Sequence, residues 1–178
     1  YMDMRYSVLM SVYNKENPEY FRAALSSIFH QTVLPTEIVL VCDGPLTAAL
    51  DAVILEYEDS CSKDTPRSTR TDMDNRVTPD GKLDMPGTVF RVVRLTENQG
   101  LGKALNEGLG HCSCEWIARM DTDDLAAPDR CERQLRYLER HPDVDALSGT
   151  IAEFQGDALD VQAAEKANTA LFERSLRD

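Results

Sequence analysis

The sequence has no apolar run that approaches the roughly 18 residues needed to cross a bilayer as a helix. It also has no surplus of positive charge, since 19 Lys and Arg stand against 31 Asp and Glu and give a formal net charge of −12. Because phosphate backbones and anionic lipids are bound by basic surfaces, this balance argues against nucleic-acid partners and charge-driven membrane docking. The 178 residues, 42% of them hydrophobic, suit one globular domain.

Cysteine and histidine are scarce and scattered, with five and three residues in the whole chain. Cys112 and Cys114 lack the two-residue spacer that is typical of zinc knuckles and redox pairs. We therefore expect reduced cysteines that are mostly buried as small hydrophobic residues. Residues 1–5 have no signal-peptide layout, so the sequence favours a soluble intracellular domain.

Strand-like and helix-like segments alternate along the chain. The apolar pattern predicts strands at 7–13, 37–42, 89–95, 116–120 and 146–154, with helices from Pro18 onward and at 46–57, 102–109 and 128–140. This alternation predicts an α/β fold with a mainly parallel sheet. The ligand site of such a sheet lies beyond the carboxyl ends of its strands.

Two stretches do not fit the alternation. Residues 59–87 are rich in Ser, Thr, Asp and Pro and are predicted to be a flexible surface insertion without a catalytic role. Residues 155–178 show a weak helical pattern, which predicts either a closing helix or a frayed tail.

Asp-x-Asp occurs three times, at 72–74, 121–123 and 143–145, and only the second copy follows an apolar strand. Closely spaced carboxylates repel one another unless a cation or bound hydroxyls offset their charge. Carboxylate oxygens suit Mg²⁺ or Mn²⁺, and such ions complete their shell with substrate phosphates. Asp121 and Asp123 are therefore interpreted as a metal–diphosphate site, the alternative being an acidic cap on the following helix.

Other strand ends carry weaker signals. The run Asn98 to Lys103 (NQGLGK) fails both common glycine-rich phosphate patterns, but a glycine turn that opens a helix beside a lysine indicates either a nearby anion or a plain helix start. Asp43 follows the second strand, where it would accept hydrogen bonds from a nucleoside or act as a turn residue in Asp-Gly-Pro. Tyr13 ends the first strand, as a stacking partner for a base or as a packing residue.

Taken together and in this order, the segments at residues 7–14, 30–32, 37–44, 98–106 and 117–124, followed by Pro128-x-Arg130, resemble the opening of the family 2 glycosyltransferases of the GT-A fold. The resemblance covers residues 5 to about 154, interrupted by the insertion. It implies an α/β, Rossmann-like three-layer sandwich with a mainly parallel sheet. The domain would span residues 1–154, and the chain would be truncated before the acceptor region.

The resemblance implies an enzyme that transfers a sugar from a nucleotide-activated donor to an acceptor hydroxyl, in polysaccharide or glycoconjugate synthesis. Such enzymes depend on a divalent metal ion and typically invert the configuration at the anomeric carbon of the transferred sugar. The donor would be UDP-type, the acceptor a saccharide or glycolipid, and the cofactor Mn²⁺ or Mg²⁺. The location would be cytoplasmic, with the full-length protein peripheral at the inner face of the membrane.

The resemblance also implies roles for individual residues. The nucleoside would lie along Ser11, Val12 and Tyr13, and Asp43 would contact its base. Asn98 and Lys103 would lie near the base, the ribose or the phosphates. Asp121 would approach the ribose or the metal, and Asp123 would hold the metal that bridges the diphosphate.

The catalytic base is not found in the sequence. In the family it belongs to a later acidic motif, and the acids within 155–178 offer no convincing counterpart. The chain is therefore interpreted as the donor-binding part of a longer protein, with no base nominated. Two alternatives stay open: a non-catalytic nucleotide-binding domain, and a sugar nucleotidyltransferase. The latter usually has a glycine-rich loop where residues 14–17 (NKEN) stand.

Overall fold

The computed structural model describes residues 5–61, 87–149 and 151. Strands and helices alternate along this part of the chain as the sequence predicts. The elements are β1 (Tyr6–Val12), α1 (Pro18–Phe29), β2 (Glu37–Cys42), α2 (Ala48–Ser60), β3 (Val89–Arg94), α3 (Leu101–Leu109), β4 (Trp116–Arg119) and α4 (Arg130–Arg140).

The four described strands form one parallel sheet in the order β3-β2-β1-β4. At the carboxyl end of the sheet Val12 pairs with Cys42, and on the other side of β1 Leu9 pairs with Arg119. All of β2 and nearly all of β1 is buried, which explains why both strands read as continuous apolar runs. The predicted parallel α/β architecture is confirmed.

Helices cover both faces of the sheet. On one face α1, α2 and α4 form the main core, with Phe21, Leu25 and Ile54 packed over the inward side chains of β1 and β2. On the other face Ala104 of α3 joins a smaller cluster from the same strands. Gly108 brings α3 close, because a Cβ there would lie 2.5 Å from the Leu9 Cδ1 atom. The result is a three-layer arrangement.

Local signals explain where the first two helices begin. The Asn17 side chain accepts a hydrogen bond from the backbone N–H of Glu19 at 2.9 Å, and Pro18 occupies the first helical turn. Thr47 caps α2 in the same way through the N–H of Leu50, at 3.3 Å. Helix α2 continues to Ser60, so the predicted insertion at 59–87 overlaps its last turn, and residues 62–86 lie outside the described residues.

The predicted fifth strand at 146–154 is not formed where the structure describes it. Residues 146–149 have no strand conformation, and they follow a turn in which Val144 N–H donates to the His141 carbonyl. This stretch (ALSG) contains no β-branched or aromatic residue, which weakens its strand preference. Residues 150 and 152–154, and the predicted tail at 155–178, lie outside the described residues.

All five cysteines are free, and Cys42, Cys61 and Cys131 are buried, as expected. Burial raises the pKa of the Cys42 thiol to about 11, which keeps it protonated and unreactive. None of the helices in the described residues is both long and apolar enough to cross a membrane.

Candidate nucleotide-sugar site

The carboxyl ends of the strands open onto one cavity of about 330 Å³. Because parallel strands all end at the same edge, segments that are far apart in sequence meet there. The cavity is lined by Ser11, Tyr13, Glu16, Asp43, Asn98, Gly100, Leu101, Asp121, Thr122 and Asp123. Six of these ten residues were nominated from the sequence, which predicted the place of the cavity as well.

Two nominated residues are not among the lining side chains. Val12 is fully buried in the main core, because alternate residues of a strand point to opposite faces and its neighbours Ser11 and Tyr13 take the cavity side. Its carbonyl still reaches the sheet edge, where it accepts a hydrogen bond from Asp43 N–H at 2.8 Å. Lys103 is exposed in the first turn of α3.

Asp43 is almost completely buried, and its carboxylate accepts hydrogen bonds from the loop that precedes α3. Its Oδ1 atom accepts the N–H of Gln99 at 2.7 Å and its Oδ2 atom accepts the N–H of Gly100 at 2.9 Å. We call residues 97–100 the glycine loop. Both oxygens are thus engaged by backbone donors, which makes Asp43 a structural clamp at the cavity wall.

Gly44 extends this clamp. Its φ of +87° is a conformation that side chains disfavour, and a Cβ there would lie 2.7 Å from the Asn98 backbone nitrogen. The end of β2 and the glycine loop therefore touch backbone to backbone. This contact fixes Asn98 and Gly100 at the wall of the cavity.

Residues 121–124, which we call the acidic turn, form the opposite wall. Asp121 and Asp123 line the cavity on either side of the buried Thr122, and Asp121 accepts a hydrogen bond from the Arg119 side chain. Partial burial raises the pKa of Asp124 above its usual value, and the charges of Asp123 and Asp121 raise it further. The turn thus concentrates negative charge at the end of β4.

Glu16, which the sequence analysis missed, adds a further carboxylate to the cavity. Partial burial raises its pKa above the usual value, a hydrogen bond with Thr122 opposes the rise, and the charges of Asp123 and Asp121 add to it. The available signal was its place just after the first strand, within the polar break at 14–17. Among the described residues that line the cavity, four are acidic and none is Lys or Arg.

The cavity walls therefore favour a ligand that brings positive charge or hydrogen-bond donors. Carboxylate oxygens are the ligands that Mg²⁺ and Mn²⁺ prefer. Within 5–61, 87–149 and 151, however, no three His, Cys, Asp or Glu side chains are grouped to hold a metal ion by themselves.

The sequence model of "Glycosyl transferase family 2" matches residues 7–76 and 83–177. The chain belongs to this family. The match extends past residue 154, where the resemblance in the sequence was expected to end, and within the predicted insertion it leaves out residues 77–82 alone.

Relatives agree with this membership. An uncharacterized glycosyltransferase of Haemophilus influenzae is 40% identical over 96% of this chain and 54% of its own length. The amylovoran biosynthesis glycosyltransferase AmsE of Erwinia amylovora is 38% identical over 84% of this chain and 46% of its own. A UDP-Gal:alpha-D-GlcNAc-diphosphoundecaprenol beta-1,3-galactosyltransferase of Escherichia coli is 31% identical over 94% and 52%. The chain therefore spans about half the length of these curated relatives.

Solved structures show the fold. TarS 1-349 of S. aureus, in complex with UDP-GlcNAc, has a TM-score of 0.56 at 21% identity and is matched over 88% of this chain and 38% of its own. The mannosyltransferase PcManGT of Pyrobaculum calidifontis, in complex with GDP-Man and Mn²⁺, has a TM-score of 0.53 at 22% identity, over 75% and 32%. The predicted GT-A fold is confirmed.

Proposed function

We propose that this chain is the donor-binding part of a glycosyltransferase that transfers a sugar from a nucleotide-activated donor to an acceptor hydroxyl. The observation that carries the proposal is the meeting of the β1 end, the glycine loop and the acidic turn around one cavity, in a chain of family 2. The cavity volume of about 330 Å³ lies in the range of small-ligand pockets. Family membership gives the sugar nucleotidyltransferase alternative no support.

The proposed donor is UDP-type. The E. coli relative is named for UDP-Gal, and TarS is described in complex with UDP-GlcNAc. In this chain Tyr13 offers a ring for stacking on a base, and Asn98 offers a side-chain amide for the base or ribose. Asp43 would support nucleoside binding in two ways. It would act indirectly by holding the glycine loop, and directly by accepting a hydrogen bond from the nucleoside with a remaining lone pair.

The proposed metal ligands are Asp123 and Asp121, which would hold Mn²⁺ or Mg²⁺. Mg²⁺ is usually bound through one or two carboxylates plus substrate phosphates, so the two aspartates fit without a third protein ligand. When bound, such an ion neutralises charge on the leaving diphosphate. Glu16 and Asp124 would keep the surrounding potential negative.

The proposed reaction is an inverting, in-line displacement in polysaccharide or glycoconjugate synthesis. Its acceptor would be a saccharide or glycolipid, in line with the amylovoran and diphosphoundecaprenol names of two relatives. A carboxylate base would deprotonate the acceptor hydroxyl. We assign that base to no residue of this chain, so little or no sugar transfer is expected from the chain alone.

The test is calorimetric titration of UDP into the protein with and without Mn²⁺. We expect Mn²⁺ to tighten UDP binding, and Asp123→Ala to abolish this gain while binding of UDP alone persists. The matched control is Asp143→Ala, which removes an exposed aspartate from another Asp-x-Asp and leaves the gain intact. An equal Mn²⁺ effect in the wild type and Asp123→Ala would overturn the metal assignment. UDP binding too weak to detect in the wild type would overturn the donor site itself.

A further inference from the structure

Gln31 is a fully buried polar residue that lies just after α1 and outside the cavity lining. Its Nε2 group donates to the carbonyl of Ala127 at 2.7 Å and to that of Ser27 at 3.2 Å. Its Oε1 atom accepts the backbone N–H of Cys131 at 3.0 Å. Both ends of the amide thus bind backbone groups that lie about 100 residues further along the chain.

Two neighbours of Gln31 bind the same segment. Ser27 Oγ accepts the N–H of Ala126 at 3.1 Å. Thr32 donates its N–H to the Pro128 carbonyl at 2.8 Å and its hydroxyl to the Glu132 carboxylate at 2.6 Å. We call Ser27, Gln31 and Thr32 the α1 anchor. It makes five hydrogen bonds to residues 126–132.

The α1 anchor also completes the start of α4. The residue at the N-cap position, Asp129, makes no side-chain capping bond. Gln31 Oε1 instead accepts the N–H of Cys131, one of the first-turn donors that have no partner within the helix. Leaving such a buried donor without an acceptor is costly, so α4 depends on Gln31 for its first turn.

The anchored segment follows the acidic turn directly. On the other side of the turn, Met120 N–H donates to the Leu9 carbonyl at 3.0 Å, which ties the end of β4 to β1. Residues 121–125 therefore form a short span whose backbone is attached at one end to β4 and at the other to the α1 anchor. Within the span, Asp121 is bonded by the Arg119 side chain and Thr122 by Glu16. The backbone contact between Asp124 N–H and the Asp121 carbonyl is 3.5 Å long and weak, so the backbone of the turn relies on its two ends.

We propose that Gln31 is a positioning residue for the donor site, which acts by holding the acidic turn through residues 126–131. The inference rests on the proposed function, because the proposed function assigns the acidic turn to metal and diphosphate binding. Groups that orient metal ligands without touching the metal typically contribute about 10- to 100-fold to metal affinity. A residue with a structural role alone would change stability and leave the metal-dependent part of binding as it is.

The test compares the wild type with Gln31→Met, which keeps the side-chain volume and removes the amide. The control is Tyr57→Phe, which removes a hydrogen bond from α2 to the Arg22 carbonyl of α1 (3.1 Å) and leaves the five bonds to residues 126–132 in place. UDP is titrated with and without Mn²⁺ well below the melting temperature of every variant. We expect Gln31→Met to weaken the Mn²⁺-dependent gain about tenfold and to leave binding of UDP alone within about twofold. Tyr57→Phe is expected to keep both.

Hydrogen–deuterium exchange of residues 121–126, without any ligand, gives an independent readout. Exchange is expected to be faster in Gln31→Met than in Tyr57→Phe. Exchange no faster than in Tyr57→Phe would overturn the inference, and so would an unchanged Mn²⁺-dependent gain. If Gln31→Met does not fold, Ser27→Ala, which removes one anchor bond, should show smaller changes in the same direction, and its equality with the wild type would overturn the inference.

The two proposals can fail separately. If the wild type does not bind UDP more tightly with Mn²⁺, the proposed function loses its metal site. Exchange of residues 121–126 then decides alone whether the α1 anchor holds the acidic turn. If the wild type shows the gain and Gln31→Met shows the same gain, the proposed function stands and the inference about Gln31 fails.

Discussion

The ends of β2 and β4 both present aspartates to the cavity, but they use them differently. At the end of β2, Asp43 is buried and each of its oxygens accepts a backbone N–H. At the end of β4, Asp121 and Asp123 line the cavity beside Glu16, and Asp124 is held at a raised pKa. Carboxylates whose oxygens accept backbone donors build the wall, whereas the crowded carboxylates of the acidic turn, of which Asp121 is paired with Arg119, place negative charge at the cavity.

The largest expected effect concerns stability at the β2 end. Asp43→Ala removes two charge-assisted hydrogen bonds and leaves the N–H groups of Gln99 and Gly100 without this acceptor, so we expect a loss of about 3 kcal/mol. Urea denaturation measures it. Asp43→Asn keeps one acceptor oxygen and should lose less than Asp43→Ala. A change below about 0.5 kcal/mol for Asp43→Ala would show that the clamp contributes little.

The second effect comes from the same end of the sheet. Gly44→Ala would force a side chain onto a φ of +87° and place its Cβ 2.7 Å from the Asn98 nitrogen. We expect a loss of about 2 kcal/mol and weaker UDP binding, because the glycine loop has to move. Gly102→Ala is the matched control, since a Cβ there meets nothing within 4 Å. Equal stability of the two variants would contradict the close backbone contact.

The β4 end should respond in the opposite direction. Asp123→Ala removes one of several crowded negative charges, so we expect unchanged stability or a gain of about 0.5 kcal/mol. The same denaturation series measures it beside Asp43→Ala. If Asp123→Ala destabilises as strongly as Asp43→Ala, the two strand ends do not differ in the way proposed.

The smallest effect is a pH dependence at Glu16. Its pKa is raised in the folded state, so the native protein binds a proton more readily than the unfolded chain does. Stability from this group therefore rises as pH falls from 7 through the raised pKa toward the usual glutamate value. Glu16→Gln should lack that rise in urea midpoints measured from pH 7 to 4. A profile parallel to the wild type would remove Glu16 from the charged cluster.

What the sequence predicted follows from local pattern. The continuous apolar runs of β1 and β2 identified buried parallel strands, and the rule that ligands bind at their carboxyl ends located Tyr13, Asp43 and Asp123 around one cavity. Glu16 was missed because a single acid in a polar break has no periodicity. The fifth strand was predicted from apolar content at 146–154, although residues 146–149 lack strand-favouring side chains.

What the sequence could not predict depends on long-range hydrogen bonds. Asp43 and the backbone of Gln99 are 56 residues apart, and Gln31 and Cys131 are 100 apart. No local spacing encodes such pairs, because they form only when the sheet brings the segments together. The roles of Asp43 as a clamp and of Gln31 as an anchor therefore emerged from the fold.

The central claim, that the cavity binds a nucleoside diphosphate with a divalent ion, is tested most directly by NMR with UDP and Mn²⁺. Paramagnetic Mn²⁺ broadens signals near the place where it binds. We expect substoichiometric Mn²⁺, added with UDP, to broaden the amide signals of Glu16, Thr122 and Asp123 first, while Leu55 on the far side of α2 keeps its signal. Broadening that begins elsewhere, or that does not depend on UDP, would contradict the account.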